Sequence, residues 1–326
     1  VPAIVGPSAS GDAKLVVEAI QETGTLVISP SASSPELAVV DPTDENPGLF
    51  WRTVPSDKLQ GGAISDYLVK NQAAAKNVVV IDETGPYGTS LNGVFKTAFE
   101  KDGRTVKTLS FEGESERSAA IAGATAAPAP AFVLFFSSQT PDVVAFLNSA
   151  ATLPSYDNIP IFLTDSAANT DLLAGVKDKK RFPQVTGSRP ALPTGPTFDL
   201  FKISYSGAFK KDPSALGFAP QAYDATWMVF YGSAFALRNE GALSGIGIAR
   251  GLRKISKTGS EIPITPANWT KIADALGEGN GVNLDRASGK LDYDPATNET
   301  SSPIEIWKIS TDAKNIERVT EIDPSP

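Results

Sequence analysis

The sequence contains no cysteine and no histidine among its 326 residues. Disulfides, thiolate nucleophiles, the usual zinc sites and mechanisms built on a histidine general base are therefore excluded. The absence of cysteine does not give the compartment, because exported and cytosolic proteins can both lack it. An apolar run of about 18 residues, long enough to span a bilayer, is also missing. We expect no catalytic residues, no bound metal and no membrane insertion of this chain.

Basic residues are fewer than acidic residues in this chain. The chain has 29 Lys and Arg against 37 Asp and Glu, a net charge of −8. A nucleic-acid interface needs clustered Lys and Arg to displace counterions. The densest basic run, Lys177-Asp-Lys-Lys-Arg181, is short and contains its own acid. The sequence therefore predicts no nucleic-acid partner.

Phosphate-binding signatures are also scarce. Gly245-Ile-Gly-Ile-Ala-Arg-Gly251 resembles a dinucleotide fingerprint, but its third Gly comes one residue too late and no strand precedes it. Small residues at this spacing indicate a helix packed closely on its neighbour. We therefore expect no cofactor.

Strands and helices alternate through the first part of the chain. Apolar strands such as 77–82 and 131–136 are each followed by a helical segment, a pattern typical of crossover units and parallel sheets. The length favours two domains. Residues 187–196 are rich in Pro and Gly and predict a linker, after which helices precede two final strands at 289–294 and 303–309.

Small hydroxylated residues follow two of the first strands. In Ala3-Ile-Val-Gly-Pro-Ser-Ala-Ser-Gly-Asp-Ala13 and Val27-Ile-Ser-Pro-Ser-Ala-Ser-Ser-Pro-Glu-Leu37, an aliphatic run stops at Gly or Pro. Such loops offer short hydroxyls and unpaired backbone N–H groups to a carboxylate. In the simpler alternative, Ser10 and Ser33 only cap helices. The serines expected to cluster at these strand ends are Ser8, Ser10, Ser31, Ser33 and Ser34.

Three polar residues follow later strands. Asp165 is either a helix cap or a fixed anion that faces a cationic ligand group. Tyr87, in a Gly-rich turn, either projects its ring and hydroxyl into a cleft or covers the core. Gln139 occupies the equivalent position after the strand 131–136.

Six segments spread over nearly the whole chain form a pattern in a fixed order. They are Ile4-Val-Gly-Pro, Val27-Ile-Ser-Pro-Ser-Ala-Ser, Phe50-Trp-Arg-Thr-Val-Pro-Ser-Asp57, Tyr87-Gly88, Gln221-Ala-Tyr-Asp-Ala225 and Ala287-Ser-Gly-Lys-Leu-Asp-Tyr-Asp294. This pattern resembles the type I periplasmic binding proteins, and among them the branched-chain amino-acid (leucine/isoleucine/valine-type) substrate-binding proteins of ABC transporters. The resemblance implies an α/β fold of two doubly wound, Rossmann-like lobes, joined by a three-strand hinge and closing like a jaw on a small ligand. By position, the N-terminal lobe would hold residues 1–56 and 193–292, and the C-terminal lobe 57–192 and 293–326.

The resemblance also implies roles for particular residues. In the family, a Ser at the position of Ser10 and a hydroxyl at that of Ser33 hold the α-carboxylate of an amino acid, beside backbone N–H groups near Ser31 and Ala32. An acid at the position of Asp165 holds the ammonium group, helped by an aromatic residue at that of Tyr87. These positions match in type in this sequence.

Two departures from the family pattern stand out. Gln139 stands where leucine-binding relatives carry a Tyr, which predicts a more polar pocket. The chain also begins at what would be the family's third strand, so the N-terminal lobe is expected to lack its first β-α-β unit. That unit lies outside this sequence or is supplied by another chain, and without it a sheet edge and apolar surface would be exposed.

The function implied is that of a non-enzymatic, extracytoplasmic solute receptor. It captures an amino acid or analogue between two lobes and delivers it to the membrane permease of an ABC transporter, either free in the periplasm or lipid-anchored through a segment not present here. Three alternatives stay open. They are a receptor for a carboxylate or amide without ammonium recognition, a sensory module of the same fold, and a hydrolase or transferase, which the lack of His, Cys and a Gly-x-Ser-x-Gly elbow disfavours.

Overall fold

The computed structural model describes residues 1–72, 75–255, 259–289 and 293–323. Its strands are β1 (Ala3–Val5), β2 (Leu26–Ser29), β3 (Phe50–Arg52), β4 (Asn77–Glu83), β5 (Thr105–Phe111), β6 (Phe132–Phe136), β7 (Ile161–Leu163), β8 (Val185–Pro190), β9 (Glu261–Pro263), β10 (Asn283–Asp285), β11 (Ile304–Ile309) and β12 (Ile316–Ile322). Its α-helices are α1 (Ser10–Ile20), α2 (Asp57–Asn71), α3 (Pro86–Phe99), α4 (Glu114–Gly123), α5 (Thr140–Thr152), α6 (Thr170–Gly175), α7 (Pro196–Phe209), α8 (Ala219–Asn239), α9 (Gly245–Leu252) and α10 (Trp269–Gly277). Within the described ranges, no helix is both long and apolar enough to cross a membrane.

The chain folds into two compact units, each built from separate segments. Unit 1 contains Val1–Ser56, Leu192–Ser214 and Phe218–Ser302, and unit 2 contains Asp57–Ala191, Ala215–Gly217 and Pro303–Pro326. The sequence placed the last crossing after residue 292, whereas unit 1 continues to Ser302. Tyr293 packs edge-on against Trp51, with ring centroids 4.8 Å apart, and Glu299 pairs with Arg52. These contacts hold the 293–302 stretch in unit 1.

Unit 2 is built on a seven-stranded sheet in the order β12-β11-β8-β7-β6-β4-β5. Strands β4 to β8 are parallel, while β11 runs antiparallel to both β8 and β12. Consecutive residues of β4 face opposite sides of this sheet, with Val79 and Ile81 in one buried cluster and Val78 and Val80 in another. Both faces are therefore buried, which is why β4 is continuously apolar instead of alternating.

Unit 1 contains the parallel sheet β1-β2-β3 and the parallel pair β9-β10. Helices α8 and α9 pack over β2, because Leu26 and Ile28 share a buried cluster with Met228 and Ile248. The two helices approach closely, since a Cβ at Gly251 would lie 2.8 Å from the Cβ of Phe235. The prediction that this Gly-rich segment packs a helix tightly on its neighbour is confirmed.

Residues 187–190, predicted to begin a linker, instead belong to strand β8, so that prediction was wrong. The strand needs Gly187, because a Cβ at this position would collide with the ring of Trp307 on β11. Proline is tolerated at Pro190 because it is the last residue of the strand. The strand predicted at 289–294 falls largely outside the described residues.

A buried acid on α8 fixes the loop after β10. Asp224 is fully buried and accepts hydrogen bonds from the backbone N–H groups of Ala287 (3.0 Å) and Ser288 (2.7 Å), and from the Ser288 hydroxyl. Burial raises the pKa of Asp224 to about 6, although these donors and the nearby Arg286 charge lower it. The folded chain therefore holds the proton of Asp224 more tightly than the unfolded chain does.

This raised pKa makes the stability of unit 1 depend on pH. Between about pH 4 and pH 6 the folded chain binds more protons at Asp224 than the unfolded chain does. The stabilisation that protonated Asp224 contributes is therefore fully present below about pH 4 and is lost as the pH rises to about 6. The loss is on the order of 3 kcal/mol. Urea unfolding of the wild type and of Asp224→Asn at pH 4, 5, 6 and 7 measures the contribution of Asp224 to the unfolding free energy. The difference between the two proteins should change across pH 4–6 and stay level above, and a difference that is constant from pH 4 to 7 would contradict the assignment.

Candidate functional site

Two serine-rich loops of unit 1 lie side by side at the carboxyl ends of β1 and β2. The Ser29 hydroxyl donates to the Pro7 carbonyl (2.6 Å) and the Ser31 hydroxyl donates to the Ser8 carbonyl (2.8 Å). The backbone N–H of Ser34 donates to Ser10 Oγ (3.2 Å). These bonds join the two loops, so the predicted clustering of serines at neighbouring strand ends is confirmed.

One hydroxyl in these loops has no partner. Ser33 is 2% exposed, and its Oγ makes no hydrogen bond within the described part of the chain. It does not cap a helix, because Ser34 caps the short 3₁₀ turn at Pro35–Leu37 by accepting from the Glu36 N–H. A buried polar atom left unpaired is costly, so Ser33 Oγ is a candidate ligand contact.

The backbone N–H groups near Ser31 and Ala32 are placed differently from the expectation. Both donate to Ser29 Oγ, at 3.3 Å from Ser31 and 2.9 Å from Ala32. The Ser29 hydroxyl accepts them because it ends β2 and lies under the turn that the two residues form. Across the two loops, the side chains of Ser10 and Ser33 are therefore better placed than these N–H groups to meet a ligand.

A buried arginine makes hydrogen bonds to the serine-rich loop that follows β2. Arg52, 1% exposed, donates from Nη1 to the carbonyls of Ala32 (3.3 Å) and Ser34 (2.9 Å). Its Nε and Nη2 donate to Glu299 Oε2 at 2.9 and 2.6 Å. The guanidinium thus fixes the backbone on both sides of Ser33.

Asp165 lies at the carboxyl end of β7, at the start of a short 3₁₀ turn, and is 7% exposed. It does not cap the following helix, since Asn169 does so by accepting from the Leu172 N–H. The Asp165 Oδ1 instead accepts from the Tyr87 hydroxyl (2.6 Å) and from Gln60 Nε2 (3.0 Å). Its carboxylate is therefore held by two long-range contacts within unit 2.

Tyr87 is buried, and its hydroxyl donates a hydrogen bond to Asp165. Of the two alternatives left open by the sequence, the ring covers the core, because Tyr87 is 4% exposed and its ring belongs to a buried cluster with Leu91 and Phe95 of its own helix. Helix α3 begins one residue before it, at Pro86, which turns the ring into the core. Only the hydroxyl reaches the site, where it is bonded to Asp165.

In this buried pair the tyrosine is neutral, and the ionised form of Asp165 is energetically costly. Burial raises the pKa of Asp165, and the hydrogen bonds from Tyr87 and Gln60 partly offset that rise. Burial also raises the pKa of Tyr87, well above its ordinary value, and the Asp165 charge raises it further. In the described part of the chain no Lys or Arg forms an ion pair with Asp165.

Gln139 lies where β6 ends and α5 begins, and its side chain is exposed. Its Nε2 donates to Ser138 Oγ at 3.2 Å. Strand β6 lies between β7 and β4, so Gln139 follows the strand between those that carry Asp165 and Tyr87. Among the described residues, no group of three or more acidic side chains is arranged to hold a metal ion.

Gln60 and Ser188 are the site residues that sequence reasoning missed. Gln60 is 3% exposed, and its Nε2 also donates to Ser188 Oγ (3.1 Å) on β8. The signal for Gln60 was present, because it lies four and eight residues before Ile64 and Leu68, on the buried face of α2. A polar residue at such a position needs a buried partner.

A family described as receptor family ligand binding region matches residues 1–312. Among curated proteins, the Leu/Ile/Val-binding protein homolog 3 of Brucella melitensis is 34% identical over 102 residues, which is 31% of this chain and 26% of that protein. The matched segment thus spans about a quarter of that relative's length.

Solved structures share the fold across nearly the whole chain. The leucine binding protein LivK from Thermotoga maritima superposes with a TM-score of 0.76 at 19% identity, covering 99% of this chain and 80% of that one. A solute binding protein of an R. palustris ABC transporter, in complex with 4-hydroxybenzoate, gives a TM-score of 0.74 at 13% identity, with coverages of 99% and 79%. At these identities the likeness establishes the fold.

Proposed function

Because the chain belongs to the receptor family ligand binding region and has the fold of the type I periplasmic binding proteins, we propose that it is a non-enzymatic solute receptor for an α-amino acid. In this proposal it works outside the cytoplasm and delivers its ligand to the permease of an ABC transporter. The curated Leu/Ile/Val-binding relative supports the ligand class.

The observation that carries the proposal is the buried carboxylate of Asp165. Among the described residues, the side chains that donate to it are neutral, those of Tyr87 and Gln60, so its negative charge is hydrogen-bonded but not neutralised. A buried charge gains most from an opposite charge with good hydrogen-bond geometry. The α-ammonium group of an amino acid provides both.

The carboxylate of the same ligand would use the hydroxyls of unit 1. Within the part of the chain that the structure describes, Ser33 Oγ is buried without a hydrogen-bond partner, and Ser10 Oγ accepts one bond from Ser34 and donates none. Short hydroxyls donate to a carboxylate without carrying a charge of their own. Unit 1, with Ser10 and Ser33, thus offers the chemistry for a carboxylate, and unit 2, with Asp165, offers that for an ammonium group, the two charged groups of a zwitterion.

The second candidate is a receptor for a carboxylate that lacks an ammonium group. It is favoured by the raised pKa of Asp165, which makes the neutral acid easier to form, and by the 4-hydroxybenzoate bound to the R. palustris protein of the same fold. Here Ser10 and Ser33 would bind the ligand, while protonated Asp165 would serve as a neutral group.

Titration calorimetry at pH 7 with the twenty amino acids and their deaminated and amidated analogues separates these candidates. We expect at least one amino acid to bind, and its deaminated acid to bind at least about a hundredfold more weakly, because Asp165 would lose its charged partner. Equal affinity for both compounds would favour the carboxylate receptor. Binding of deaminated acids alone would exclude the amino-acid proposal.

A further inference from the structure

The side chain of Gln60 donates from its amide nitrogen to two acceptors. Its Nε2 lies 3.0 Å from Asp165 Oδ1 and 3.1 Å from Ser188 Oγ. All three residues are buried, and all belong to unit 2. Turning the amide over would place Gln60 Oε1 against the carboxylate, acceptor against acceptor. While Asp165 is ionised, the nitrogen is therefore the atom of Gln60 that faces it, and Ser188 accepts from the same nitrogen.

Gln60 is also placed on a rigid part of the unit. It lies in the first turn of α2, shortly after the chain enters unit 2 at Asp57, and Ser188 lies on β8 shortly before the chain leaves it at Ala191. Strand β8 is hydrogen-bonded on both sides, to β7 and β11. Gln60 therefore links the Asp165 carboxylate, at the end of β7, to helix α2 and strand β8. These two elements lie next to the points where the chain enters and leaves unit 2.

Gln60 differs from the other donor to Asp165 in one respect. The Tyr87 hydroxyl can donate or accept, so Tyr87 tolerates either protonation state of Asp165, while an amide NH₂ group can only donate. With Gln60 Nε2 facing it, Oδ1 acts as an acceptor. Another acid near this pair is Asp57 on α2, which acts on Tyr87 and has the same sign as Asp165. In the orientation that the structure shows, Gln60 therefore favours the ionised acid.

We infer that Gln60 is a positioning residue that keeps Asp165 ionised and oriented for a cationic ligand group, and that Ser188 fixes Gln60 in that task. The inference deepens the proposed function and rests on it for the identity of the ligand. The effect on the carboxylate is independent of any ligand. Gln60 would then set the preference for an ammonium-bearing ligand without touching it.

The first test measures the Asp165 carboxyl directly by ¹³C NMR titration of the full chain without ligand, with Asp165→Asn to assign the signal. We expect Gln60→Met, which keeps the volume and removes the donor, to raise the Asp165 pKa. Gln72→Met, at an exposed position just beyond the same helix, is the matched control and should leave it unchanged. Ser188→Ala, which keeps Gln60 but frees its amide, should give a smaller rise. Identical titrations of Asp165 in the Gln60 and Gln72 variants would overturn the inference, as would no rise in Ser188→Ala.

The second test uses L-leucine and its deaminated acid, 4-methylpentanoate, as probes in calorimetry at pH 5 to 8. We expect Gln60→Met to weaken leucine binding about tenfold at pH 7, to move its loss on acidification to higher pH, and to spare 4-methylpentanoate. Equal weakening of both probes would mean a merely structural role and overturn the inference. If wild-type protein bound neither probe, the proposed function would be in question while the NMR result would still decide the role of Gln60.

Discussion

Replacing Asp165 with Asn is expected to weaken amino-acid binding by at least about a hundredfold while leaving the folded protein as stable as before, or slightly more so. The two effects differ in sign because burial makes the charge itself costly in the free protein, as the raised pKa of Asp165 indicates. An Asn side chain still accepts through Oδ1 from Tyr87 and Gln60, the contacts that Asp165 makes. What it cannot provide is the negative charge that an ammonium group needs.

Calorimetry with the tightest-binding amino acid, together with urea unfolding of the free protein, measures both halves of this prediction. Asp171→Asn is a suitable control, since Asp171 is exposed on α6, close in sequence, and should alter neither quantity. A variant that loses stability and affinity together would show that Asp165 is a structural acid. Unchanged affinity would refute its role as the ammonium partner.

Replacing Arg52 with Met is expected to destabilise unit 1 by about 3–5 kcal/mol. The substitution removes a buried charge that bonds Glu299 and two loop carbonyls, those of Ala32 and Ser34. The side chain of Glu299 is only 23% exposed, so it would stay partly desolvated without its partner. Because the two carbonyls flank Ser33, ligand binding should weaken as well.

Arg238→Met provides the matched control in the same unit. The Arg238 and Asp274 side chains are 50% and 49% exposed, and exposed ion pairs of this kind contribute about 0–1 kcal/mol. Urea unfolding of the two variants should therefore differ severalfold in the loss of unfolding free energy. Similar losses in both would mean that Arg52 is no more important than a surface arginine.

Much of the architecture was predictable because its strands are apolar and its helices are well marked. The strands predicted at 77–82 and 131–136 match β4 and β6 to within one residue at each end, since each is a continuous apolar run with clear breaks on both sides. The failures have physical causes. β8 contains Gly and Pro, which normally interrupt strands, yet Gly187 is required there by the ring of Trp307.

The candidate site was less predictable than the fold. Residues at strand ends can be found from sequence, because parallel strands bring their carboxyl ends to one edge, and Asp165 and Ser33 were found in this way. Contacts between residues far apart in the sequence cannot be found in this way. Gln60 and Asp165 are 105 residues apart, and only the folded sheet shows that they meet. For the same reason the sequence left open whether the Tyr87 ring projects into a cleft or covers the core, and the structure shows it in a buried cluster.

The insertion of β11 between β8 and β12 has a consequence for synthesis on the ribosome. β8 precedes most of unit 1 in the chain, yet its partner on one side, β11, follows all of it. The nascent chain must therefore carry β8 with an unpaired edge while more than a hundred further residues, counted from Pro190 to Ile304, are translated. Domains usually fold in turn as they emerge, but here most of unit 1 is translated between the first part of unit 2 and its last two strands, so unit 2 is completed last. An open edge of this kind is where a nascent chain pairs wrongly, so β8 stays open to wrong pairing until β11 has been made.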